Sequence, residues 1–153
     1  MITWFKLTPT YSFGFFPIGL LFLFLQKIPY LLLPPLGVSI APLIKLPEHL
    51  SWFDGLEKIL GLLTLLTFLF IVRDDLQPRH LFLRAAVVPL SIYYVGWGVY
   101  CLGYQNLLIY LFFLIATPPL YYFCLGLWLK NRPATFCALV YLLVHFINFG
   151  LHF

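Results

Sequence analysis

Residues 85–129 run for 45 positions without a single Asp, Glu, Lys or Arg. A helix needs about 20 apolar residues to cross a hydrocarbon core about 30 Å thick. A run this long therefore holds two crossings and a tight connection. Residues 133–153 add a second uncharged run of 21. Over the whole chain 63% of residues are hydrophobic and 9% charged, against about 25% charged in soluble domains. No water-exposed surface can be built from that material. The expected fold class is all-α: a polytopic helical membrane protein, since backbone amides in lipid must pair within their own segment.

Five spans are expected in one transmembrane domain, at residues 11–33, 51–72, 84–103, 107–129 and 134–153. Ser51 with Asp54 three residues on resembles a capping box opening the second span. Gly103-Tyr-Gln-Asn106 is the polar break inside the long uncharged run. Asn131-Arg-Pro133 separates the last two spans, with Pro133 suited to a first helical position. Residues 34–50 contain Pro34, Pro35, Pro42 and Pro47, a density that no continuous helix survives. They are expected to form a Pro-rich outer or re-entrant loop, or else an ordinary apolar loop. The apolar stretch from Leu7 is longer than the core of a signal peptide and no A-x-A site follows it, so it is expected to remain as the first span.

Charge placement predicts orientation. With five spans, Lys6, Arg73, Arg79, Arg84, Lys130 and Arg132 collect on one side, and Lys27, Lys45 and Lys58 on the other. Basic residues favour the cytoplasmic side, so the chain reads N-in/C-out. Trp4 and Trp128 then fall near the inner interface and Trp52 near the outer one. The expected location is a cell membrane, the bacterial cytoplasmic membrane. The net charge of +4 lies beside the spans, so anionic lipid headgroups explain it and nucleic acid does not. Cys101, Cys124 and Cys137 have no metal-type spacing and read as small packing residues.

Polar residues inside spans are the functional candidates. Tyr141, His145, Asn148 and His152 follow i, i+4, i+7, i+11 and share one stripe of the fifth span. They read as a ligand or proton path, or as interhelical hydrogen bonds. Asp54 and Lys58 are spaced as an i, i+4 pair, which leaves Glu57 on another bearing, free to meet a cation, a proton or a histidine of the fifth span; alternatively all three sit at the headgroups, Lys58 by snorkelling. Pro118 and Pro119 interrupt the fourth span and are expected to kink it as a hinge, or simply to shape the bundle. Pro17 and Pro89 could bend the first and third spans. Gly96, Gly98 and Gly103, with Tyr93, Tyr94, Trp97 and Tyr100, read as close packing.

The sequence carries no phosphate-binding Gly-rich loop, HExxH, CxxC or GxSxG motif. No catalytic residue, metal site or cofactor is therefore assigned. The W-x-P-P stretch of the translocator protein family is missing too, because Ala116-Thr-Pro-Pro119 stands in another span. Tyr93-Tyr-Val-Gly-Trp97 together with Pro118-Pro-Leu-Tyr-Tyr122 resembles uncharacterised small polytopic membrane proteins of low-GC Gram-positive bacteria, and that resemblance implies no activity.

The expectation is a multi-pass membrane protein that binds or moves a small or hydrophobic ligand between spans 2, 4 and 5, in the outer half of the bilayer. Glu57, His145, Asn148, Tyr141 and His152 would form its site. The alternative is a structural or regulatory subunit without a ligand of its own, assembled as a homo-oligomer or with another membrane protein. An intramembrane enzyme using His145 and Glu57 ranks last.

Overall fold

The computed structural model describes residues 2–38, 51–75, 78–104, 106 and 109–151. Three short strands open and interrupt a helical bundle: β1 (Ile2–Lys6), β2 (Tyr11–Phe15) and β3 (Ile71–Arg73). They form one antiparallel sheet in the order β1-β2-β3. The helices are α1 (Pro17–Leu32), α2 (Ser51–Phe70), α3 (His80–Cys101), α4 (Thr117–Trp128) and α5 (Arg132–Leu151). A π-helical turn, Tyr110–Ile115, leads into α4.

The sheet corrects the all-α expectation and the start of the first span. Tyr11-Ser-Phe-Gly-Phe15 alternates large and small with period 2, which is strand patterning, although its mean hydropathy suits a span equally well. Leu7 to Thr10 make the turn, where Thr8 Oγ1 accepts the Tyr11 amide at 3.0 Å. Pro17 does not bend a helix; it begins one, at the position where its missing N–H would have been unpaired anyway. At the other end of α2, residues 71–72 leave the helix and pair with β2. The helix α3 starts earlier than expected, at His80, so Arg84 lies inside it. The prolines of the 34–38 stretch form a single 3-10 turn closed by Gly37 at φ 81°; residues 39–50 of the Pro-rich loop lie outside the described residues.

Among the described residues four helical segments are long and apolar enough to cross a membrane: Pro17–Leu36, His80–Cys101, Tyr110–Trp128 and Arg132–Gly150. They mark a multi-pass membrane protein. In the bundle α2 lies along α5, α5 along α4, and α4 along α3, while α1 touches α2 and α3 more lightly. Gly126 sets the α4–α5 approach, since a Cβ there would meet Thr135 Oγ1 at 2.6 Å. Gly96 does the same for α3 against the π turn, where a Cβ would meet Phe113 Cβ at 2.5 Å.

Hydroxyl and amide groups repair what the prolines and helix ends leave open. Pro29 removes the amide that would bond the Leu25 carbonyl, and the Tyr94 hydroxyl donates to that carbonyl from α3. In π register the Phe113 carbonyl would take its bond from residue 118, a proline; Thr117 Oγ1 donates instead. Tyr121 donates to the Phe22 carbonyl at 2.9 Å and Tyr122 to Gln26 Oε1 at 2.8 Å, which fastens α1 to α4.

The turn between α4 and α5 is tied to the end of α2. Lys130 adopts φ 51°, and the Lys130 and Asn131 amides donate back to Leu127 and Gly126, closing α4. Asn131 Oδ1 accepts the Ala134 amide as the N-cap of α5. Its Nδ2 donates to the carbonyls of Thr67 and Ile71 at 3.1 and 2.6 Å. One buried amide thus caps two helices.

Candidate functional site

Polar side chains converge where the first two turns of α2 meet the last turns of α5. Helical spacing explains the gathering: Asp54, Glu57 and Gly61 recur at i, i+3 and i+7 on α2, and Tyr141, His145 and Asn148 at i, i+4 and i+7 on α5. His145 Nδ1 lies 2.7 Å from Glu57 Oε1, with both side chains about one-fifth exposed. Asn148 Nδ2 donates to Asp54 Oδ1 at 2.9 Å and to Glu57 Oε2 as well. The Tyr141 ring stacks beside the His145 imidazole at 5.2 Å between centroids, and rests on the bare face of Gly61.

Of the residues expected to form a site, the structure therefore brings Glu57, His145, Asn148 and Tyr141 together. His152 lies outside the described residues. Pro118 and Pro119 are buried in the first turn of α4, directly after the π turn. The interruption expected in the fourth span is present, and its form is a change of helical register.

Asp54 belongs to the cluster, which spacing alone missed. An i, i+4 pairing with Lys58 was the expected use of its carboxylate, yet Lys58 is exposed and Asn148 takes that carboxylate. A side chain on a neighbouring helix offered a shorter-range, less hydrated partner than a lysine that can extend away from the bundle. Asn131 and Gln26 were also passed over. Asn131, just ahead of Arg132-Pro133, carried an N-cap signature; Gln26 was the lone amide of an apolar stretch.

Electrostatically, two carboxylates share one imidazole and one neutral amide. Acidic groups outnumber basic ones in it, two to one. Among the described residues no three His, Cys, Asp or Glu side chains are grouped to hold an ion. Glu57 and His145 are paired as an acid and a base are, with the Tyr141 ring beside them. A hollow at the opposite end, lined by Phe16, Phe68, Val72, Leu129 and Asn131, is small.

No family model matches this chain, and no curated protein or solved structure matches it either.

Proposed function

We propose that the chain crosses its membrane five times, with α2 as the additional span, and binds a small organic cation at the α2–α5 cluster. The proposed setting is the bacterial cytoplasmic membrane, amino end inside. Helix α2 has 20 residues, about 30 Å of rise, and it exposes an apolar stripe of Ile59, Leu62, Leu63 and Leu66. Its charges are confined to the end away from β3. The positive-inside rule favours the sheet side as cytoplasmic, because Lys6, Arg73, Arg79, Lys130 and Arg132 gather there.

The observation that carries the ligand reading is the Asp54–Asn148–Glu57 bridge, with His145 set against Glu57. Negative side chains at the edge of a hydrocarbon core are costly. Retaining two of them side by side is reasonable if a cation joins them for part of a working cycle. His145 meets Glu57 from the facing helix, and a bound cation would take a place beside the same carboxylates. The register change before Pro118 and Pro119 supplies a flexible element in α4.

The test uses the full chain in lipid nanodiscs and tetraphenylphosphonium as the probe. Binding is expected to vanish in Glu57→Gln while persisting in Lys58→Gln. Equal binding by Glu57→Gln, or by an uncharged analogue of the probe, would refute the reading.

A second reading is favoured by one feature: every carboxylate of the cluster already has a partner on the facing helix. That arrangement suffices for a structural or regulatory subunit, in which the polar groups only hold α2 on α5. Co-purification of a stoichiometric membrane partner, with no probe binding, would select it.

A further inference from the structure

The amino-terminal hairpin carries an aromatic ladder on one face. A bulge between Thr3 and Phe5 breaks the alternation of β1, so Trp4 and Phe5 both reach the same ring of β2. Their centroids lie 5.3 and 5.2 Å from that of Phe13. Phe13 in turn stacks on Phe70, the last residue of α2, at 5.9 Å. The outer end of this ladder is open, with Trp4 55% and Phe5 58% exposed and Ile2 beside them. Lys6, at the end of the strand, pairs with Asp74 at 3.8 Å and keeps its side chain 75% exposed.

Two constraints fix where such a face can sit. One residue, Phe16, separates β2 from the membrane-crossing helix α1, and none separates α2 from β3. The sheet therefore cannot leave the membrane surface. Nor can it enter the hydrocarbon, because the outer edge of β1 presents backbone groups that no strand among the described residues pairs, and lipid-exposed edges are not tolerated there. The remaining depth is the headgroup–acyl boundary, where tryptophan and other amphipathic rings are favoured and lysine reaches the phosphates.

We propose that the Trp4–Phe5–Phe13 face is a lipid-contacting surface, resting on the same bilayer that the helices cross and anchoring the amino end at the interface. Its occupant is phospholipid at the boundary between headgroup and acyl chain. The surface is separate from the α2–α5 cluster and stands whether or not that cluster binds a cation.

The test reconstitutes the full chain in phosphatidylcholine bilayers brominated either near the headgroup end or near the methyl end of the acyl chain. Tryptophan emission is compared between the wild type and Trp4→Phe, which keeps an aromatic ring at an exposed position. The difference isolates Trp4 from Trp52, Trp97 and Trp128. The expected result is a Trp4 component quenched more strongly by the shallow bromines than by the deep ones, and lost in Trp4→Phe. A second reporter, Phe5→Trp in the Trp4→Phe background, should show the same depth order. Quenching by aqueous iodide with no effect of either brominated lipid overturns the proposal. Shielding from both quenchers also overturns it, since protein would then cover the face.

Discussion

His145 Nδ1 stands 2.7 Å from Glu57 Oε1, so α2 and α5 are joined by a direct polar contact between two part-buried side chains. Removing the ring leaves Glu57 with the Asn148 amide as its remaining partner across the helices. His145→Ala is expected to cost about 1–3 kcal/mol, below the range for fully buried pairs because the groups keep some exposure. In the Glu57→Gln background the same substitution should cost less. Equilibrium unfolding in mixed micelles, arranged as a double-mutant cycle, checks this; strictly additive costs would remove the coupling.

Asn131 is a stronger structural dependency than any residue of the polar cluster. Losing an N-cap costs about 1 kcal/mol, and leaving buried carbonyls unpaired adds about 1–3 kcal/mol. Asn131→Ala should thus cost about 2–4 kcal/mol. Asn131→Asp keeps the cap but turns the donor that served Thr67 and Ile71 into an acceptor, so it should be no better than alanine. A stable Asn131→Asp protein would mean that the cap matters and the bridge to α2 does not.

Two helical glycines should respond in opposite directions. Gly126→Ala drives a methyl group into the Thr135 backbone, whose amide lies 2.9 Å from the ideal Cβ position, and should cost about 1–3 kcal/mol. Gly98 has nothing within 4 Å, so Gly98→Ala should gain about 0.5–1 kcal/mol from reduced backbone entropy. Thermal melting of both variants side by side decides the matter.

The Tyr94 hydroxyl serves a carbonyl that Pro29 has orphaned. Tyr94→Phe should destabilise by about 1–3 kcal/mol. Pro29→Ala restores an amide for Leu25, so Tyr94→Phe should cost much less in that background. Equal costs in both backgrounds would break the proposed link between the proline and the hydroxyl.

At the sheet end, Arg73 donates to Asp75 through two nitrogens, and this hydrogen bonding holds the Asp75 carboxyl below its ordinary value. A depressed acid contributes stability above its unfolded pKa and loses it as pH falls through the folded one. Melting curves of wild type and Asp75→Asn should therefore differ at neutral pH and converge in acid. Asp75 is exposed and Arg73 partly so, so the difference should be small and fade at high salt. Convergence at alkaline pH in place of acid would reverse the sign and reject the assignment.

The candidate site was legible in outline. Stripe spacing placed Tyr141, His145 and Asn148 on one face and set Glu57 apart from Lys58, because helical periodicity is a local property. Asp54 was misassigned to its own helix, because the facing helix that claims it is 94 residues away in the chain. The strand Tyr11–Phe15 was hidden for a different reason. Hydropathy sums cannot separate an apolar strand from an apolar helix, and one of its two partner strands, β3, follows only after α2.

Composition and uncharged run length by themselves determined that this polypeptide belongs in a bilayer, since transfer energy adds up residue by residue along a segment. Helix ends marked by proline, asparagine and charge were likewise local. Tertiary structure alone decided which carboxylate meets which amide, which carbonyl receives a tyrosine hydroxyl, and that the amino end closes a sheet with a strand beyond α2. Each of those depends on a partner distant in sequence, and a pairing energy exists only once both partners have been brought together.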